Sequence, residues 1–127
     1  MRLSALLYLS LLLLISCQEP VDEKIDTSWS ILYKQILEPN CSNCHMNGSA
    51  IQKQSGLDLS SNAAYNTLVG VAPKNSAAIN DGLLRVSTEG GMKGLTQSYL
   101  WEKINIYDQE HFLNDHPEYG QLMPPGG

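Results

Sequence analysis

Positive charge is scarce in this chain and never gathers into a run. Eight Lys and Arg stand against 13 Asp and Glu in 127 residues, a formal net charge of -5. An acidic chain without a basic stretch does not suit nucleic acid, and it does not dock electrostatically on anionic lipid. Cysteine is scarce as well: Cys17, Cys41 and Cys44 are the whole complement. Three thiols make no complete disulfide framework, so each needs its own explanation. Long apolar runs are missing beyond Leu3 to Ile15, which is too short to span a bilayer comfortably. No internal repeat is present.

That one apolar run follows the positive start Met1-Arg2 and reads as the h-region of a signal peptide. It ends at Leu14-Ile15-Ser16-Cys17, which resembles a bacterial lipoprotein box, with cleavage before Cys17 and diacylglycerol on its sulfur. The predicted organisation is a lipoprotein signal peptide over 1–16, a tether over 17–27 and one domain over 28–127. Cleavage would leave 111 residues with a formal charge of -6, since Arg2 is lost. Gln18 to Asp26 is polar, acidic and contains Pro20, as suits a tether. Membrane attachment would then come from the lipid, on the periplasmic side of a bacterial membrane.

Cys41-Ser42-Asn43-Cys44-His45 is the most informative stretch. CxxCH is the spacing at which haem becomes covalently attached. On one helical turn, i and i+3 project to the same side and i+4 lies beside them. Two thiols so placed can each add to a vinyl group on one porphyrin edge. The adjoining imidazole is then carried over the plane, where its nitrogen can bind iron. With Cys17 assigned to lipid and Cys41 and Cys44 to thioethers, no thiol is left over.

Periodicity sketches the rest. Thr27 or Ser28 can cap a helix whose apolar residues Trp29, Leu32, Tyr33, Ile36 and Leu37 form one stripe. Pro39 is expected to stop it. Asn47-Gly48-Ser49 reads as a turn, and Gly56 to Leu59 as a short extended piece with Leu57 and Leu59 on one face. Ser60, Ser61 or Asn62 opens a helix through Ala64, Tyr65, Leu68 and Val69, closed by Gly70 in the left-handed region. Val71 to Asp81 reads as loop and Leu83 to Val86 as a second extended piece, broken at Glu89-Gly90-Gly91. Thr96 or Ser98 opens a third helix through Tyr99, Leu100, Trp101 and Ile104. Asn105 to Gly127 has no periodicity. The expected class is mainly α, with several short helices, little sheet and long irregular loops.

These pieces together resemble the planctomycete-type cytochrome c domain, a relative of the small monohaem c-type cytochromes. The resemblance runs over roughly residues 29 to 127. It rests on Ile36-Leu37, Cys41-x-x-Cys44-His45, Gly56-Leu57-Asp58-Leu59, Ala64-Tyr65-x-x-Leu68-Val69, Arg85-Val86, Ser98-Tyr99-Leu100-Trp101-x-Lys103 and Met123-Pro124-Pro125. It implies a small helical cytochrome c-like fold around one covalent haem c, with His45 as proximal and Met123 as distal iron ligand. Family members show Pro-Gly after the Arg-Val pair, where this chain has Ser87-Thr88-Glu89-Gly90. They also continue past Met-Pro into a C-terminal helix that packs on the first helix. Here four residues follow Met123, so that helix reads as missing: either the chain is truncated there or another element covers Trp29, Leu32 and Ile36.

The residues themselves leave the distal ligand open. Met123 lies 78 positions beyond His45, ample chain to cross a haem, and Pro124-Pro125 restrain the backbone after it. Met92 is a second choice, Met46 is too close to His45, and His111 or His116 would give a bis-His iron of lower potential. A lone Met is otherwise core filler. Met with His raises the reduction potential. A six-coordinate iron leaves no position for a small-molecule substrate, so the expected role is an electron carrier between redox partner proteins, not an enzyme. Two rivals stand: a peroxidase-like haem redox-enzyme subunit with an open iron site, and a haem-free thiol-redox or zinc lipoprotein. Zinc on Cys41 and Cys44 with His111 and His116 would need a separation far beyond usual finger spacing. Trp29, Tyr33, Tyr65, Tyr99 and Trp101 can line a haem pocket or serve as ordinary core.

Overall fold

The computed structural model describes residues 28–125; the leader, Cys17, the tether and Thr27 lie outside the described residues. The described chain is mainly helical and contains no strand. Its elements are α1 (Ser28–Leu32), a π-helical segment (Tyr33–Ser42), α2 (Asn43–His45), α3 (Ala50–Ser55), α4 (Ala64–Leu68) and α5 (Ser76–Asn80). After these come α6 (Gly91–Thr96), α7 (Tyr99–Ile104), a 3-10 turn (Ile106–Asp108), α8 (Gln109–Asp115) and a second 3-10 turn (Pro117–Tyr119). Two isolated parallel bridges, Val69 with Val86 and Leu84 with Ser98, tie the extended piece to its neighbours. No helix among the described residues is long and apolar enough to cross a membrane.

Pro39 does not end the first helix, which corrects the expectation. The winding runs on through the π-helical segment into α2, with Pro39 inside it. A π-helix is wider than an α-helix and bonds five residues back, so the pyrrolidine ring is spared the clash it meets at the i-4 carbonyl. Nearby carbonyls recruit side chains: Asn40 Nδ2 donates to the Ile36 oxygen at 2.8 Å and Ser42 Oγ to the Leu37 oxygen at 3.2 Å. The unbroken winding carries Cys41, Cys44 and His45 on one continuous helical rod.

Two short helices were not expected. Ser49 accepts from Gln52 N and starts α3, which ends at Gly56 with a φ of 69°. Asn75 accepts from Ala78 N and starts α5 within the stretch read as loop. Two more were not expected either: α6, where Gly90-Gly91 reads as a break, and α8, in the aperiodic C-terminal stretch. The caps of α3 and α5 satisfy donors that a short helix otherwise leaves to water.

Two apolar clusters hold these pieces. In the first, Tyr33, Leu37, Leu59, Ala64 and Leu68 are buried, with Trp29, Cys41, Leu57, Val86 and Leu100 packed against them. Burying one Leu such as Leu59, 2% exposed, stabilises by about 1.5–3 kcal/mol. The second joins Ala78, Leu83 and Tyr119, with Ala77, Tyr99 and Leu122 beside them. On the first helix, Trp29 meets Tyr65 edge-on at 4.9 Å, while Leu32 and Ile36 are exposed. No described element covers that outer face.

Candidate functional site

The motif sits where the helical rod meets the extended piece. Leu59 N donates to the His45 carbonyl at 2.7 Å. The Leu59 carbonyl accepts from Tyr33 OH at 3.0 Å and from Ser42 Oγ at 2.9 Å. Ser42 is a variable position of CxxCH, so the motif itself fastens the rod to Leu59.

Beside this junction lies an apolar cavity of about 450 Å³. Cys41, Cys44 and His45 line it, and so does Met123 from the far end of the chain. Leu57 and Leu59 contribute together, as residues two apart on an extended segment should. The volume falls in the range of cofactor pockets, roughly 300–1,000 Å³.

Cys41 is half-buried and Cys44 exposed, and both are free thiols. Burial, with Cys44 second, pushes the Cys41 thiol up. Reactive dithiols depend on the opposite shift. Burial lowers the His45 pKa, against a backbone hydrogen bond at Leu57 and with a smaller push from the Arg85 charge. The neutral imidazole that results is the form that binds metal. Ser55 Oγ lies 3.3 Å from His45 Nδ1 and orients the ring, as outer partners of ligating histidines do.

Met123 reaches the cavity because its segment is strapped to α7. Met123 N donates to the Lys103 carbonyl at 2.7 Å. Lys103 Nζ donates to the carbonyls of Tyr119, at 2.8 Å, and Gln121, while Tyr99 OH donates to the Tyr119 carbonyl at 2.7 Å. Burial pushes the Tyr99 hydroxyl up to about 12 and lowers the Lys103 ammonium.

The other candidates lie elsewhere. Met92 and Met46 are exposed at 72% and 52%, and neither lines the cavity. His111 and His116 do not line it either; His111 pairs with Asp115 at 2.7 Å and His116 stacks on Tyr119 at 4.5 Å. Of the aromatics, Tyr99 lines the cavity, while Trp29 meets Tyr33 at a tilt and Tyr65 edge-on near the first helix. Among the described residues, the group of three metal-capable side chains that converges is Asp81, His116 and Glu118, which includes no cysteine. Sequence reading gave no role to Ser55 or to the cavity-lining Lys74 and Arg85.

The donor set suits a covalently held haem: two accessible thiols, a neutral oriented imidazole and a thioether on one apolar cavity. No protein-family model, curated protein or solved structure matches the chain.

Proposed function

We propose that this chain is an exported, lipid-anchored, monohaem c-type cytochrome that carries single electrons between periplasmic redox partners. One observation carries the reading: Cys41, Cys44, His45 and Met123, spread over 83 positions of sequence, line the same apolar cavity. When bound, haem c would supply an iron that takes up and gives back one electron. Cys41 and Cys44 would hold it through thioether bonds. His45, neutral and oriented by Ser55, would hold the iron through a ring nitrogen and Met123 through its thioether sulfur. Leu37, Leu57, Leu59 and Leu68 would keep water from the iron, which together with Met ligation favours the reduced state. The resemblance to the planctomycete-type cytochrome c domain points the same way. Cys17 would carry the lipid that holds the carrier at the membrane.

The test is the purified chain from a host that matures c-type cytochromes. We expect a pyridine haemochrome spectrum of the two-thioether type and an intact mass raised by one haem. Colourless protein with both thiols free to alkylation would overturn the reading and favour a haem-free thiol lipoprotein. Cys17→Ala should move the protein to the soluble fraction; retention in membranes would refute the anchor.

A further inference from the structure

Away from the cavity, three side chains able to ligate a metal converge at the C-terminal end of α5. Asp81, His116 and Glu118 each bring a ligand atom, and these atoms all lie within 4.8 Å of one another. They come from two segments of the chain, His116 and Glu118 standing 35 and 37 positions beyond Asp81. His116 is half-buried and the two carboxylates are exposed. The ion pairs among the described residues join Lys93 to Glu89, His111 to Asp115 and His116 to Glu118, so no Lys or Arg pairs with Asp81 or Glu118 there. His116 Nδ1 stands 3.9 Å from Glu118 Oε1, too far for a hydrogen bond to occupy that nitrogen.

The group is braced from behind. Tyr119, only 3% exposed, donates its hydroxyl hydrogen to Asp81 Oδ2 at 2.6 Å. Its ring lies within 9° of parallel to the His116 ring at 4.5 Å, which fixes the imidazole plane. Asn75 Nδ2 donates to the Glu118 carbonyl at 2.9 Å and ties the turn to the start of α5. Ligating carboxylates and imidazoles are oriented by outer partners of this kind. Burial, the Asp81 hydrogen bond and then the charges of Asp81, Glu102 and Glu118 push the Tyr119 hydroxyl up, so the field at this corner is negative. Two carboxylates drawn together without a basic side chain favour a cation between them. Donors on one zinc at about 2.0–2.2 Å stand about 3.3–3.6 Å apart in a tetrahedron. A small side-chain rotation therefore closes the 3.9 Å gap between His116 and Glu118.

We propose that Asp81, His116 and Glu118 bind one divalent transition-metal ion such as zinc, with water completing its shell. An imidazole beside two carboxylates suits zinc better than magnesium or calcium, which take oxygen ligands. The ion fastens the turn Pro117–Tyr119 to the end of α5. Tyr99 and Lys103 hold the same turn at the Tyr119 carbonyl, and the chain runs on from it to Met123. None of the three ligands lines the cavity, and the site does not depend on the haem reading.

The experiment titrates zinc into the purified wild-type chain with its cysteines blocked, by haem, lipid or alkylation, and reads binding heat and thermal unfolding. One zinc per chain and a raised midpoint are expected, with no response to the same concentration of magnesium or calcium. X-ray absorption at the zinc edge should show one imidazole with oxygen neighbours and no sulfur. Asp81→Asn keeps an acceptor for Tyr119; it, His116→Gln and Glu118→Gln should each weaken zinc at least about tenfold, whereas His111→Gln should not. Wild type without zinc-dependent heat or midpoint shift, a sulfur-bound zinc, or zinc affinity unmoved in any of the three ligand variants would overturn the proposal. Should a variant fail to fold, the zinc edge of the wild type decides: one imidazole with oxygens supports the site, and any other shell overturns it. Colourless wild type that binds zinc in this way would remove the haem reading and leave this site standing.

Discussion

Removing both hydroxyls from the Leu59 carbonyl should cost more than removing each in turn. Tyr33→Phe deletes the 3.0 Å bond and leaves Ser42 in place; Ser42→Ala deletes the 2.9 Å bond, and that to Leu37, and leaves Tyr33. Each single variant keeps one donor on the carbonyl, so each should destabilise by about 1 kcal/mol. The double variant strands an acceptor next to the most buried Leu of the first cluster. An orphaned buried carbonyl costs about 1–3 kcal/mol, so the pair should exceed the sum of the singles by about 1 kcal/mol or more. Urea unfolding of the purified proteins measures this, provided the slope m is the same in all four. Additivity within about 0.3 kcal/mol would mean that water reaches the carbonyl and replaces the lost donors.

Three further outcomes follow from single sites. Met123→Ala should abolish the Met–iron(III) charge-transfer absorption and lower the potential, whereas an unchanged spectrum would assign the ligand elsewhere. Gly56→Ala should destabilise by about 1–2 kcal/mol in thermal unfolding, because a φ of 69° disfavours a Cβ and Lys74 and Arg85 must yield to it. A wild-type midpoint would show that the backbone there relaxes freely. The Asp58 carboxyl is held below its ordinary pKa by hydrogen bonds from the Ser60 hydroxyl and then from the Ser60 N–H at 2.9 Å. A lowered folded pKa gives stability that is present above the unfolded value and lost as pH falls through the folded one. Ser60→Ala should therefore lose stability at neutral pH, and the gap to wild type should close in acid; a gap constant down to acid pH would contradict the assignment.

The CxxCH motif could be read directly because its geometry lies within one helical turn, where neighbours in sequence are neighbours in space. The mainly helical class was legible for a similar reason, in the apolar stripe from Trp29 to Leu37. The caps Ser49 and Asn75 were equally present in the sequence, but α3 and α5 span six and five residues, too few for a period to show. Pro39 misled because a local rule assumes α geometry, and the chain took the wider winding.

Sequence alone, then, determined the spacing of two thiols and an imidazole, an acidic chain, and short helices parted by turns. Tertiary structure decided which distant groups share the cavity. Met123 was selected over Met46 and Met92 by the strap from Tyr99 and Lys103, whose bonds reach 16 to 20 positions along the chain. Arg85 could be matched in sequence beside Val86, but its burial could not; its place is set by carbonyls 18, 29 and 30 positions away. A charge can be counted in a sequence, but whether it is buried, and what it faces, depends on which segments fold over it.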